Sequence, residues 1–254
     1  MYPDLIDLGF LHLKTYGACM AIGFLLCWRL IDSLWGSKEL GNLIISLMIS
    51  GVIGSRLAYV IEHWQKEFAA DPMQIIRVDQ GGLMFYGGLI LAIVVFFTWC
   101  LFKKESTLKV ADVLCAVIPL GHAFGRLGCF FYGCCYGKDS HAWCAVVFPK
   151  GSPSWSEHGH RMVSVLPTQL FEAAALAALF VVTLSLYRKK LASGIVMGAY
   201  LAGYALIRFG IEYLRGDPRA QVGIFSISQT ISLVMFALGV SLIVYRSICR
   251  AKKV

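Results

Sequence analysis

Charge is what this chain has least of. Asp, Glu, Lys and Arg together make up 15% of its 254 residues, where a soluble domain carries about 25%. With 58% hydrophobic residues and a mean hydropathy of +0.69, a soluble globular protein is excluded and an integral membrane protein remains. Acidic residues are the scarcer kind, 15 against 23 basic, for a net charge of +8. A basic excess can mark a nucleic-acid binder, but here it falls where cytoplasmic loops are expected, so no nucleic acid partner is read from it. The first fifteen residues lack a basic n-region and a small-residue cleavage pattern and contain Asp4 and Asp7. They are read as mature protein, a short amphipathic segment at the outer interface, and not as a signal peptide. Internal repeats are also missing, which argues against a transporter built from two related halves.

What is present is a series of long apolar runs. A spanning helix needs about 20 apolar residues, and seven stretches qualify: roughly Tyr16 to Trp35, Gly41 to Ile61, Gly82 to Phe102, Leu108 to Phe131, Gln169 to Tyr187, Gly194 to Leu214 and Ile224 to Tyr245. Basic residues gather in alternate connections, at Lys103, Lys104 and Lys109, at Arg188, Lys189 and Lys190, and at Arg246, Arg250, Lys252 and Lys253. The positive-inside rule makes that side cytoplasmic. The expectation is an all-α, polytopic protein of the bacterial inner membrane with seven transmembrane helices, a periplasmic N-terminus and a cytoplasmic C-terminus. Residues 1–254 form a single transmembrane domain, with outer loops at about 62–80 and 137–168.

Polar residues within the runs gather at one depth. At 1.5 Å per residue, Arg56, Arg126 and Arg208 all fall in the outer half of their helices, together with Tyr16, Tyr86, Gln169 and Glu212. An arginine at such depth is costly unless paired or hydrated, so each is a site candidate. Arg208, Glu212 and Arg215 lie on one stripe of one helix. Gly87 and Gly88, beside Tyr86, either let two helices approach closely or bare backbone to a ligand. Glu172 is a site carboxylate or only an acid suited to a helix start. Three arginines against one clear carboxylate make a positive site shaped for an anion, and a phosphate-bearing lipid headgroup fits it best. Polar groups gathered at one depth do not line a channel.

The stretch from Gly125 to Gly137 adds glycines, three cysteines and Arg126 at the end of an apolar run. In chain order, Tyr-Gly at 16, Gly-Ser-Arg ending at 56, Phe-Tyr-Gly-Gly-Leu-Ile from 85, Gly-Arg-Leu-Gly from 125, Pro-Thr-Gln-Leu-Phe-Glu from 167 and Arg-Phe-Gly-Ile-Glu-Tyr-Leu-Arg from 208 resemble the prolipoprotein diacylglyceryl transferase family. The resemblance implies transfer of diacylglycerol from phosphatidylglycerol to the thiol of a lipoprotein signal-peptide cysteine, releasing glycerol phosphate. Arg126 and Arg208 would hold the phosphate, Glu212 would orient Arg208, and Tyr86 would complete the catalytic group. Tyr16, Arg56, Gly87, Gly88, Gly125, Cys129, Gly137, Gln169, Glu172 and Arg215 would line the substrate site. The partners are phosphatidylglycerol, a lipoprotein precursor or another thiol acceptor, and membrane lipid.

The chain departs from that family around the acceptor. Tyr86 stands where the family has histidine, and a tyrosine keeps its proton at neutral pH, so it would hydrogen-bond phosphate and not act as a base. Cys129, Tyr132 and Cys134 replace a family motif of two asparagines and a glutamate. An oxidising compartment permits a disulfide, and two of Cys129, Cys134, Cys135 and Cys144 are expected to form one. A nucleophilic thiol beside Arg126 is the alternative. No metal or soluble cofactor is expected, because the nearest histidines lack tight ligand spacing.

Overall fold

The structure, a computed structural model, describes residues 4–7, 12–36, 38–69, 71–77, 82–218 and 221–251. Gly81, Lys252 and Lys253, and the side chain of Arg250, lie outside the described residues. In chain order come β1 (Asp4–Asp7), β2 (His12–Lys14), α1 (Thr15–Trp35), α2 (Lys38–His63), α3 (Phe85–Lys103), α4 (Thr107–Tyr132), β3 (Val146–Val147), α5 (Pro153–Glu157), β4 (Ser164–Val165), α6 (Thr168–Arg188), α7 (Ile195–Glu212), β5 (Gln221–Val222), β6 (Phe225–Ser226) and α8 (Ile227–Ala251). Seven of the helices are long and apolar enough to cross a membrane, and each overlaps one of the runs read from sequence. Within the N-terminal segment, β1 and β2 pair antiparallel.

Helix ends follow local chemistry. Lys104 ends α3 in a left-handed conformation, its N–H returning to the carbonyls of Cys100 and Leu101. Ser226 opens α8 through a reciprocal pair of bonds: its Oγ accepts from the N–H of Gln229, and Gln229 Oε1 accepts from the N–H of Ser226. That is a capping box legible in the Ser-x-x-Gln spacing.

Two compact units are present. In residues 31–110, α2 packs on α3 through glycines. A β-carbon at Gly87 would lie 2.3 Å from Ala58 Cβ and 2.4 Å from the Gly54 carbonyl, and one at Gly88 would lie 2.5 Å from the Gly51 carbonyl. Of the two sequence readings for this pair, close helix approach is the one the structure adopts. The segment after α2 folds over Arg56, whose guanidinium donates to the carbonyls of Gln74 (2.6 Å), Ile75 (3.0 Å), Arg77 (3.1 Å) and Gly82 (3.1 Å).

The second unit comprises residues 1–30 and 111–254. Asp112 on α4 accepts from the N–H groups of Gly194 (2.6 Å) and Met197 (2.8 Å), fixing the start of α7. Cys115, Leu179 and Tyr200 join α4, α6 and α7 in one buried cluster. The stretch from 133 to 167 is not the aperiodic loop that its sequence suggests. β3 pairs with β4, Ser152 caps α5, and Tyr136, Phe148 and Val165 form a small core. This ordered cap closes on the ends of α4, α6 and α7, where the polar residues lie.

Candidate functional site

At that end of the second unit, three helices contribute charged side chains and a fourth a hydroxyl. Arg126 of α4 meets Glu172 of α6, with Nη2 2.9 Å from Oε1. Arg208 of α7 meets Glu212 one turn along, with Nη2 2.6 Å from Oε2, and donates to Ser228 Oγ of α8 at 3.0 Å. Glu172 is 1% exposed, so it is no mere first-turn acid; it is the carboxylate that balances Arg126. The site is therefore less positive than the sequence count suggested. Each arginine has an anionic partner, and the capacity to take a further anion rests on donors still open. Arg208 Nη1 is such a donor, buried and without an acceptor among the described residues.

Arg215 is bidentate to Asp217, Nε to Oδ1 at 2.8 Å and Nη2 to Oδ2 at 2.7 Å. This pair braces the turn after α7. Gly137 lies where three backbones cross: its N–H donates to the Leu166 carbonyl at 2.8 Å, and it bridges Arg215. A β-carbon there would sit 2.7 Å from Leu166 Cβ and 2.8 Å from the Leu166 carbonyl. Only glycine fits that crossing without a shift.

The cysteines depart from expectation. All nine are free thiols, so the disulfide expected among Cys129, Cys134, Cys135 and Cys144 is not formed. Three of the four converge instead: the Sγ atoms of Cys129, Cys134 and Cys135 lie within 4.8 Å of one another. Histidine spacing points to no metal, but three thiols by themselves make a ligand group. Gln169 Nε2 donates to the Cys134 carbonyl at 2.7 Å and Thr168 Oγ1 to the Cys135 carbonyl at 2.9 Å. Hydrogen bonds from Cys129 and Cys134, aided by the Arg215 guanidinium, pull the Cys135 thiol well below the usual range. Cys134, as a donor to its neighbours, is pushed up.

Tyr16 packs on α4 over Gly128, where a β-carbon would lie 2.9 Å from its ring, and stands within electrostatic range of the three thiols and Arg126. Gly125 faces Met20 of α1, with room for ordinary contact at 3.4 Å. Tyr204 hydrogen-bonds with Arg126; it was missed in the sequence although it falls one turn before Arg208 on the same stripe of α7. Tyr200 precedes it by another turn and approaches His122 at 3.5 Å.

The remaining sequence candidates belong to the other unit. Arg56, expected to line the substrate site, donates to backbone carbonyls and anchors the segment after α2. Gly87 and Gly88 are covered by α2. Tyr86 is 54% exposed at the start of α3, its ring edge against Phe85.

Known proteins resemble this chain along nearly its whole length. The family model for prolipoprotein diacylglyceryl transferase matches residues 3–245. The chain is 32% identical over 257 residues to the phosphatidylglycerol–prolipoprotein diacylglyceryl transferase of Pseudoalteromonas translucida, covering 96% of this chain and 92% of that one. It is 33% identical over 249 residues to the enzyme of that name from Clostridium tetani, covering 94% and 96%. Against phosphatidylglycerol–prolipoprotein diacylglyceryl transferase 2 of Clostridium perfringens, identity is 32% over 238 residues, covering 91% and 90%.

Proposed function

The chain belongs to the prolipoprotein diacylglyceryl transferase family, and from that premise we propose that it transfers the diacylglyceryl group of phosphatidylglycerol to the thiol of a lipoprotein signal-peptide cysteine. It is a multi-pass protein of the bacterial inner membrane, with the site facing the outer leaflet. The acceptor sulfur, as thiolate, attacks the glycerol carbon of the lipid next to phosphate. The C–S bond forms, the C–O bond breaks, and the electron pair leaves on glycerol phosphate.

The observation that carries this reading is the open donor of Arg208. Its Nη2 is held by Glu212 and Ser228, so the plane of the guanidinium is fixed before substrate arrives. Nη1 remains for a phosphate oxygen. A buried, preoriented donor acts most strongly where charge grows, here on the departing phosphate. Arg126 lies in the same field, since Glu172 and both arginines influence one another electrostatically. Holding lipid and thiol together supplies the rest by orientation.

The test uses the purified full chain in vesicles of phosphatidylglycerol with a signal peptide carrying one cysteine. Release of glycerol phosphate and a peptide mass gain of one diacylglyceryl group are expected together. A peptide with serine at that place should be inert. Binding of lipid without either product would refute the proposal.

A further inference from the structure

We propose that Cys129, Cys134 and Cys135 form a zinc site whose fourth position takes the acceptor's cysteine thiol. The role given to the fourth position rests on the transferase reading above; the metal site itself does not.

The three sulfurs are brought together by backbone design. Cys129 is in the last turn of α4, and the chain then reverses at Gly133 (φ 81°) and again at Cys135 (φ 64°). A residue with a β-carbon rarely adopts positive φ, so the surroundings must hold it. Here Gln169 and Thr168, each 1% exposed, grip the Cys134 and Cys135 carbonyls. The Cys134 N–H returns to the Cys129 carbonyl at 3.2 Å. Tetrahedral zinc with Zn–S bonds of about 2.3 Å spaces its sulfurs by about 3.8 Å. The thiols, already within 4.8 Å, need to close by about 1 Å at most.

Chemistry selects the ion. Thiolates favour soft or borderline cations. Three protein ligands and one exchangeable place form the catalytic zinc pattern, whereas structural zinc is closed by four. Three thiolates and Zn²⁺ leave one net negative charge, two once the acceptor's thiolate binds, and Arg126 and Arg215, each also holding a carboxylate, lie within electrostatic range, Arg215 in hydrogen-bond contact with Cys135. An odd number of thiols suits this better than a disulfide, which would strand one of them.

The site also answers a need of the reaction. Glu172 and Glu212 are each ion-paired with an arginine, and the acceptor's thiol must lose its proton. A thiol that coordinates zinc loses its proton outright. The acceptor's proton passes to solvent as its sulfur binds. That sulfur then forms the C–S bond with the glycerol carbon, the C–O electron pair leaves on glycerol phosphate, and the neutral thioether, a weak ligand, departs. Cys129 is three residues beyond Arg126 on one helix, about one turn, so thiolate and phosphate are held side by side.

The experiment compares purified full-length wild type with Cys129→Ser, Cys134→Ser, Cys135→Ser and, as a control outside the cluster, Cys144→Ser. About one zinc per chain with three sulfur neighbours by X-ray absorption is expected for wild type and Cys144→Ser, and at least a tenfold loss of zinc for the other three. In the cobalt-substituted wild type, the sulfur-to-metal absorption band should grow when the cysteine peptide is added, but not with the serine peptide. Diacylglyceryl transfer should fall more than 100-fold on removing zinc and return with Zn²⁺. Metal-free wild type with three alkylatable thiols would overturn the site. A cobalt spectrum blind to the cysteine peptide, or full transfer by zinc-free protein, would overturn its role while leaving the transferase reading in place. These metal readings use wild type, so they hold even where a serine variant fails to fold.

Discussion

Replacing Arg208 by lysine tests the phosphate donor while keeping a positive charge. Wild-type Arg208 uses Nη2 for Glu212 and Ser228 and leaves Nη1 open. A lysine ammonium is one point on a flexible stem and cannot hold the Glu212 carboxylate and a phosphate oxygen in that fixed fork. Stability should fall little, because Glu212, whose side chain is 5% exposed, keeps a cationic partner. Catalysis should fall by about 10²–10³, or about 2.7–4 kcal/mol, as for loss of one preoriented donor. Arg208→Ala is a poorer test alone, since an unpaired buried carboxylate costs about 3–5 kcal/mol in stability. The double variant Arg208→Ala with Glu212→Gln removes both charges, and should regain melting temperature relative to Arg208→Ala without regaining turnover. The assay is glycerol phosphate release against time, alongside thermal unfolding in detergent. Arg208→Lys within about fivefold of wild type, where a lost donor costs about 10²-fold or more, would refute the reasoning. So would a double variant that recovers activity together with stability.

Other expectations concern the scaffold. Gly87→Ala should destabilise by about 1–3 kcal/mol, because its β-carbon would press on the Gly54 backbone; an unchanged melting temperature would refute close α2–α3 packing. Arg56→Ala should free the backbone carbonyls of Gln74, Ile75, Arg77 and Gly82 and speed proteolysis after α2 several-fold, while cleavage at the wild-type rate would count against Arg56 as loop anchor. His158 should make the cap sensitive to pH. Burial opposes its charge, but the Ser154 carbonyl and the Asp139 carboxylate outweigh burial and raise its pKa. A raised folded pKa means that the contribution is full below the ordinary histidine value of about 6.5 and is lost as pH climbs through the folded value. The melting-temperature gap between wild type and His158→Gln should therefore narrow from pH 6 to 8.5, and a constant gap would refute it.

Several parts of this protein are legible before any coordinates. The spans are legible because apolar length is a one-dimensional quantity, and the Ser226 cap because its partners are three residues apart. Arg208 and Glu212 are legible as a pair because one helix sets their spacing. Glu172 and Arg126 are not, since forty-six residues separate them and either could have met another group. The carbonyls that Arg56 holds are not legible in the sequence, because backbone acceptors leave no mark in a residue pattern. The thiols around Arg126 suggested a disulfide, as their spacing says nothing of the two positive-φ turns that bring a third sulfur in.

Taken alone, then, the sequence determined seven spans and the family, which follow from local composition, run length and ordered motifs. Tertiary structure decided which arginine keeps an open donor, which glycines serve packing, and which cysteines meet. Those outcomes depend on the direction and distance of side chains carried by different helices, and on backbone groups that every residue shares. Such relations come into being only when α4, α6, α7 and α8 pack, because pairing buried charge and satisfying buried backbone are properties of the assembled bundle.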